Sequence, residues 1–194
     1  IGFSNYSWCS SLNDAYMKRI KEIYPKTITV LGGPNFPTLK EEQYEYLKER
    51  PWVDFYVVKE GEYAFYKLIS ALINKNSIEE ISELPNLVFI KDEKFYHHKK
   101  IERIMDLTQI PSPYLSGRLD SFLDGKLLPI IQTNRGCPFT CTFCTEGQSY
   151  WSKVKTKTHD VIAGEISYIS KKMNNLSSDK KRADFFIADS NFGM

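Results

Sequence analysis

The sequence predicts an α/β fold: a partial doubly wound parallel sheet, then a hairpin and connector, then the start of a second unit of strands and helices. Short apolar and β-branched runs alternate with stretches whose apolar residues recur at three- and four-residue steps, as in amphipathic helices. The loops between them are short, which is typical of parallel strands joined by helical crossovers. We expect segment boundaries at 1–76, 77–128 and 129–194.

The composition is that of an ordinary globular protein. The 194 residues, 42% of them apolar, suffice for one large domain or two small ones. With 26 basic and 24 acidic residues the net charge is +2, which gives no electrostatic case for a nucleic-acid or membrane partner. No apolar run of about 18 residues and no leader are visible, so we expect a cytoplasmic protein. Because Ile1 already lies in a predicted strand, we expect the chain to be cut from a longer protein.

Three strand and helix pairs account for the first segment. The predicted strands are Ile1–Ser4, Thr27–Leu31 and Asp54–Val58. A predicted helix follows each strand, with apolar residues over 12–23, 39–47 and 64–73.

Small and acidic residues stand at the carboxyl ends of these three strands. They are Ser4, the pair Gly32 and Gly33, and the turn Glu60-Gly61-Glu62. Parallel strands end at one edge of a sheet, and such sheets bind ligands outside that edge. The alternative is structural: the glycines make a tight turn, and the acids favour a helix amino end through its dipole. The residue types alone leave both interpretations open.

A hairpin and a stiff connector are predicted for the middle segment. The runs Leu87–Ile90 and Phe95–His98 flank a polar turn at 91–94, which indicates a hairpin. Asp106–Tyr114 contains two prolines and reads as an extended connector.

The third segment begins with an apolar strand, Pro129–Thr133, followed by a cysteine-rich loop, a helix over 161–169 and a second strand, Asp184–Ala188. The loop stands at the carboxyl end of its strand, where barrels of strands and helices keep their chemistry. Alternation of Lys153, Lys155 and Lys157 with other residues predicts a solvated edge, and Glu165 is expected to be an ordinary helix-face carboxylate.

The cysteine loop carries the strongest functional signal. Cys137, Cys141 and Cys144 are separated by three and then two residues, and so close a set is unexpected in a reducing cytosol unless the thiolates bind something. Structural zinc wants four ligands, and only His159 lies downstream. Three thiolates suit a four-iron cluster that keeps one iron open. An iron–sulfur cluster is therefore favoured, with zinc as the alternative.

The C-x3-C-x2-C pattern, with Phe143 just before its last cysteine, resembles the signature of the radical S-adenosylmethionine (SAM) enzymes. The resemblance implies that the three cysteines hold a 4Fe-4S cluster whose fourth iron takes the amino and carboxylate groups of SAM. Reduction would then yield a 5′-deoxyadenosyl radical. It also implies that Phe143 lies by the adenine and that 129–194 holds the first two strand-helix units of a TIM-type barrel. Asp189 and Asn191 are candidates for the SAM amino group, although the glycine-glycine-glutamate often seen at that strand end is absent.

The loops of the first segment, in their order, resemble the later half of the flavodoxin-like, Rossmann-type cobalamin-binding domain that precedes some radical enzymes. The resemblance rests on a strand ending in Ser4, one ending in Leu-Gly-Gly-Pro, and Val-Val-Lys-Glu-Gly-Glu. It implies cobalamin contacts at Ser4, Gly32 and Gly33, near the nucleotide tail. The connector Leu-Thr-Gln-Ile-Pro-Ser-Pro-Tyr is similar to the linker of the cobalamin-dependent subgroup.

In that subgroup the two cofactors most often cooperate in methylating an unactivated carbon, so the resemblance implies a methyltransferase. Ring contraction and cyclisation also occur there. The implied partners are a small-molecule or natural-product-type substrate and an external electron donor such as flavodoxin or ferredoxin. No catalytic residue is assignable beyond the cluster.

Two other functions remain open. A methylthiotransferase-like radical enzyme acting on RNA also has a doubly wound leading domain, but it would want further cysteines there, and only Cys9 is available. A binding or electron-transfer module would use the cysteines for zinc or a cluster without catalysis.

Overall fold

A computed structural model describes residues 1–97, 101–180 and 184–193, and the chain divides into two compact units, Ile1–Ile104 and Met105–Met194. The strands of the first unit are β1 (Gly2–Ser4), β2 (Val30–Gly32), β3 (Phe55–Val57), β4 (Leu87–Lys91) and β5 (Lys94–His97). Its helices are α1 (Ser10–Ile23), α2 (Lys40–Lys48), α3 (Glu62–Ile73) and the short α4 (Ile78–Ser82).

The five strands form one mixed sheet in the order β1-β2-β3-β4-β5, with the first three parallel and the last two pairings antiparallel. Successive side chains of a strand point to opposite faces. Val30 and Phe55 accordingly pack with apolar residues of α3, whereas Leu31 and Tyr56 pack with Met17 of α1 and residues of α2. Helices therefore cover both faces of the parallel part, and the predicted α/β, doubly wound class is confirmed.

Helix α1 has the predicted position but a different buried contact. Its one fully buried residue is Met17, while Leu12, Tyr16 and Ile23 are all at least 49% exposed. The three- and four-residue spacing therefore identified the helix, and it did not identify the face that meets the sheet.

Helix α4 was not predicted. Ser77 Oγ accepts a hydrogen bond from Glu80 N at 3.2 Å, and Glu80 Oε2 accepts one from Ser77 N at 2.8 Å. This reciprocal capping box is marked in the sequence by Ser-x-x-Glu ahead of an apolar residue. The helix was missed because residues 74–83 are mostly polar, and their composition indicated a loop.

The predicted hairpin is present as β4 and β5, and it extends the first sheet. Asp92 and Glu93 have φ values of 48° and 60°, as a two-residue type I′ turn requires. Antiparallel pairing of β4 with β3 joins the hairpin to the unit that ends at Ile104. The last residue of the predicted second strand, His98, lies outside the described residues. The three-segment division of the sequence stays a prediction.

The second unit holds β6 (Ile130–Ile131), β7 (Asn134–Arg135), β8 (Lys155–Thr156), α5 (His159–Asn174) and β9 (Phe186–Ile187). Strand β6 pairs in parallel with β9, with α5 between them in the chain, while β7 pairs antiparallel with β8. This is the strand-helix-strand arrangement predicted for the third segment. Closure into a barrel stays a prediction.

The predicted connector is anchored in its own unit. Leu107, in a short 3-10 turn, is 1% exposed, and the Tyr114 hydroxyl donates to Ile130 O at 2.8 Å and accepts from Ile130 N at 3.0 Å. Tyr114 also packs against Ile131 and residues of α5. Within the part of the chain that the structure describes, no helix combines the length and apolar character needed to cross a membrane.

Asn5 fastens the carboxyl ends of the parallel strands to one another. Its side chain is 1% exposed and donates to the hydroxyls of Tyr46 and Tyr56, at 3.0 Å each. The Tyr56 hydroxyl in turn donates to Gly33 O at 2.9 Å. Burial, as the largest effect, raises the pKa of Tyr56, so this hydroxyl stays a donor at neutral pH.

The backbones of Asn5 and Gly33 cross closely at these strand ends, and this approach requires glycine at position 33. Its φ is +134°, and a Cβ at this position would lie 2.6 Å from Asn5 O and 2.9 Å from Asn5 N. Backbone packing is therefore sufficient to explain why position 33 is glycine, whether or not Gly33 also contacts a ligand.

We expect Gly33→Ala to lower the free energy of unfolding by about 2 kcal/mol or more, because strain and overlap add there. Gly61→Ala is the matched control, since a Cβ at Gly61 meets only Val57 Cγ1 at 3.8 Å. Denaturant unfolding followed by circular dichroism measures both changes. Equal stability of the two variants would contradict the close approach at Gly33.

Candidate functional site

The three residues predicted to contact cobalamin lie at one edge of the first sheet. The parallel register pairs Ser4 with Gly32 and Gly32 with Val57, so the strands end together. Ser4 is exposed, and its carbonyl accepts from Asn13 Nδ2 at 2.5 Å. A Cβ at Gly32 would lie 3.3 Å from Val57 O, so this backbone is close-packed on one side. Contact of these residues with a ligand stays a prediction.

Lys59 at the same edge was missed by sequence reasoning. It follows β3 with φ +64°, a conformation that a lysine adopts only when its surroundings impose it. Val58 N donates to Asn86 O at 2.9 Å, and Ile104 N donates to Glu60 Oε2 at 2.5 Å, so both neighbours are fixed. Burial lowers the pKa of the Lys59 ammonium. The periodicity of apolar residues along the chain gave no indication of a strained, half-buried lysine beside the strand ends.

In the second unit the cysteine loop is closed at its base by the ladder of β7 with β8. Cys137 N donates to Trp151 O at 3.0 Å, and Cys144 N donates to Cys141 O at 3.1 Å. A Cβ on Gly147 would collide with Cys141 O, so the turn after the last cysteine needs glycine. The strand ladder, these backbone hydrogen bonds and the close contact at Gly147 thus fix the conformation of the loop.

The three thiols are free of disulfides and reachable. Cys137 is half-buried, Cys141 and Cys144 are exposed, and Phe143 between the last two is 92% exposed. Among the described residues, no three Cys, His, Asp or Glu side chains already stand as a metal-binding group. The chemistry of the donor set fits an iron–sulfur cluster, because three accessible thiols share one backbone-closed loop.

Asp189 and Asn191 have different surroundings. The Asp189 carboxylate accepts from Thr133 N at 2.7 Å, from Asn134 N at 3.1 Å and from Asn134 Nδ2 at 3.0 Å, and also from the Thr133 hydroxyl. These four bonds occupy its acceptor capacity and join the end of β9 to the end of β6. Asn191 Nδ2 lies 3.5 Å from Cys137 Sγ. Among the two residues, the structure thus places Asn191 beside Cys137, one of the three cysteines of the loop.

Two buried acceptor atoms flank the cysteine loop without a hydrogen-bond partner among the described residues. They are Oδ1 of Asn134, a residue 3% exposed, and Oε2 of Glu146. Buried polar atoms are normally paired, so each of these marks a place where an N–H or O–H donor is wanted. Asn134 and Glu146 were not predicted, and their isolation is visible only in three dimensions.

The prediction of a solvated lysine edge is wrong for Lys157. Its Nζ lies 3.0 Å from both carboxylate oxygens of Glu165, and both side chains are largely buried. Lys157 N also donates to Thr133 O at 2.9 Å. Glu165 faces the interior of the unit from α5, so the pair fastens the chain after β8 to the helix.

Comparison with known proteins supports the resemblance seen in the cysteine loop. No protein-family model matches the chain. The chain is 26% identical over its whole length to the cobalamin-dependent radical SAM methyltransferase TokK of Streptomyces tokunonensis, of which it covers 28%. It is 30% identical over 77% of its length to an anaerobic magnesium-protoporphyrin IX monomethyl ester cyclase of Synechocystis sp., covering 29% of that protein. The chain therefore spans little more than a quarter of these relatives.

Solved structures with the same fold carry the cofactors. The cobalamin-dependent SAM radical enzyme OxsB, with aqua-cobalamin and SAM bound, matches 99% of the chain and 25% of its own length at a TM-score of 0.71 and 17% identity. The methyltransferase TsrM of Kitasatospora setae, with cobalamin and a [4Fe-4S] cluster bound, matches 98% of the chain and 37% of its own at 0.62 and 15% identity. At these identities the likeness shows the fold alone. The sequence relatives and the shared fold together confirm the predicted resemblance to cobalamin-dependent radical SAM enzymes.

We expect Glu165→Ala to destabilise the second unit by about 3 kcal/mol, because it leaves the Lys157 ammonium buried and unpaired. Asp120→Ala is the control, since Asp120, in the short 3-10 turn 120–122, pairs with Lys172 of α5 and the two side chains are 38% and 40% exposed. That change should cost much less. Urea unfolding followed by tryptophan fluorescence compares them, and equal losses would contradict a buried pair.

Proposed function

We propose that this chain is the cofactor-binding part of a radical SAM enzyme that also uses cobalamin. The observation that carries the proposal is the backbone-closed loop with three free thiols at the end of β6 and β7. A 4Fe-4S cluster on Cys137, Cys141 and Cys144 would supply the electron that splits SAM into methionine and a 5′-deoxyadenosyl radical.

The residues around the loop suit these tasks. Asn191 is within reach of Cys137 Sγ and, as a donor, stabilises negative charge on that sulfur. The unpaired Oδ1 of Asn134 and Oε2 of Glu146 are acceptors of the kind that ammonium and hydroxyl groups need. The exposed ring of Phe143 is available to a planar base. Asp189 acts indirectly, because its four bonds hold the strand end that carries Asn191.

Cobalamin is assigned to the first unit, at the edge formed by Ser4, Gly32 and Gly33. Support comes from the shared carboxyl ends of three parallel strands and from the fold that the unit shares with OxsB and TsrM. Methyl transfer to an unactivated carbon of a small molecule is the reaction proposed, with a separate reduced protein such as flavodoxin or ferredoxin as electron donor. TokK, the methyltransferase matched throughout the chain, favours it.

Cyclisation of the substrate is the alternative candidate reaction. The Synechocystis relative, which is called a cyclase, shares 30% identity over 77% of this chain. An RNA methylthiotransferase is disfavoured, since Cys9 is the one cysteine of the first 104 residues and bonds locally to Ser4 O and Asn13. Product analysis with methyl-labelled SAM distinguishes methyl transfer from cyclisation.

Cys141→Ala should abolish cluster assembly, because one of three thiolate ligands is lost. Anaerobic reconstitution followed by iron and sulfide analysis should give about four of each per chain for the unmodified protein. Cys9→Ala is the matched control and should keep the full iron content. Stoichiometric zinc without visible absorption in the unmodified protein would overturn the proposed function.

Asn191→Ala should lower the reduction potential of the cluster by tens of millivolts, roughly, while the iron content stays unchanged. The direction follows because a hydrogen bond to a ligand sulfur stabilises the reduced, more negative state. Potentiometric titration followed by electron paramagnetic resonance measures the shift. Phe192→Ala, beside it in sequence and 68% exposed, is the control. An unchanged potential would show that Asn191 does not bond to the cysteine sulfur.

A further inference from the structure

Two aromatic rings are presented to solvent on the loop that follows β1. Tyr6 and Trp8 stack with their ring centroids 4.6 Å apart and their planes 16° from parallel. Trp8 is 80% exposed, and Tyr6 is 38% exposed. An indole left in water forgoes a large burial free energy, so an exposed stacked pair is a surface on which an interaction is expected.

The loop holds this pair in place before any ligand arrives. Cys9 N donates to Tyr6 O at 3.1 Å, and the Cys9 thiol donates to Ser4 O at 3.3 Å. Asn13 N donates to Cys9 O at 2.9 Å, which ties the loop to α1. At the other end Asn5 is the buried residue that joins the strand ends. Binding on the rings would therefore cost little conformational entropy.

The position and chemistry of the pair indicate the kind of ligand. The rings lie on the loop that leaves the carboxyl end of β1, so they belong to the edge that holds Ser4, Gly32 and Gly33. Residues 5–13 include no charged side chain, which disfavours recognition of a phosphate or carboxylate by this loop. Flat aromatic surfaces instead bind flat apolar or heteroaromatic groups by stacking.

We propose that Tyr6 and Trp8 form a stacking platform for a planar part of cobalamin in the first unit. The inference rests on the proposed function, which assigns cobalamin to this edge. Cobalamin offers two planar parts, the corrin macrocycle and the benzimidazole base of its nucleotide tail. Either stacks on an indole by the same chemistry, and a ligand without the base distinguishes them.

The test is a titration of the full-length protein with hydroxocobalamin and, separately, with cobinamide, which lacks the nucleotide base. Dissociation constants come from the visible spectrum of the corrin, and the part of the tryptophan fluorescence quenching that Trp8→Phe loses gives a second readout. The variants are Trp8→Ala, Trp8→Phe and, as the matched control, Tyr24→Ala. Tyr24 is 64% exposed and follows the far end of α1, about 20 Å along the helix from the loop.

Trp8→Ala should weaken hydroxocobalamin binding about tenfold, Trp8→Phe should retain most of the affinity, and Tyr24→Ala should leave it unchanged. A parallel loss with cobinamide assigns the corrin to the platform, and an unaffected cobinamide constant assigns the base. If Trp8→Ala bound each ligand as tightly as the unmodified protein does, the inference would be overturned. The exposed rings would then be a surface that another polypeptide covers. Failure of the unmodified protein to bind cobalamin would overturn the proposed function of the first unit as well.

Discussion

The contact between the backbones of Asn5 and Gly33 is the constraint on which the first unit depends. Two chain segments leave neighbouring parallel strands at the same edge, and they pass so closely that a single methyl group would not fit between them. The Asn5 amide satisfies the polar groups that this approach buries, through Tyr46 and Tyr56. Because the crossing fixes where the strands end, it also fixes where Ser4, Lys59 and the aromatic loop stand.

The second unit solves the same problem with a carboxylate. Asp189 accepts four hydrogen bonds from the segment after β6, and the Lys157–Glu165 pair secures the segment after β8. Each ionised group is buried or half-buried, and each is satisfied by several donors or an opposite charge, which offsets its desolvation. Asp189, Lys157 and Glu165 thus stabilise the segments on either side of the cysteine loop.

Sequence reasoning predicted the parallel strands, the helices other than α4, the hairpin and the family resemblance, because each leaves a local pattern of periodicity, turn residues or cysteine spacing. It failed where the partner of a side chain lies on another element of the fold. Met17 rather than Leu12 faces the sheet, and Lys157 finds Glu165 rather than solvent. The left-handed Lys59 and the unpaired Asn134 Oδ1 arise from packing imposed by other elements, so no spacing rule could have revealed them.

The ladder of β7 with β8 has a consequence for the life of the protein in the cell. Since the ladder joins the two ends of the cysteine loop without any metal, the conformational entropy of closing that loop is spent when the unit folds. Damage to a cluster by oxygen would leave a folded apoprotein with Cys141 and Cys144 at its surface. Reassembly of the proposed cluster on such a protein would need no refolding of this loop.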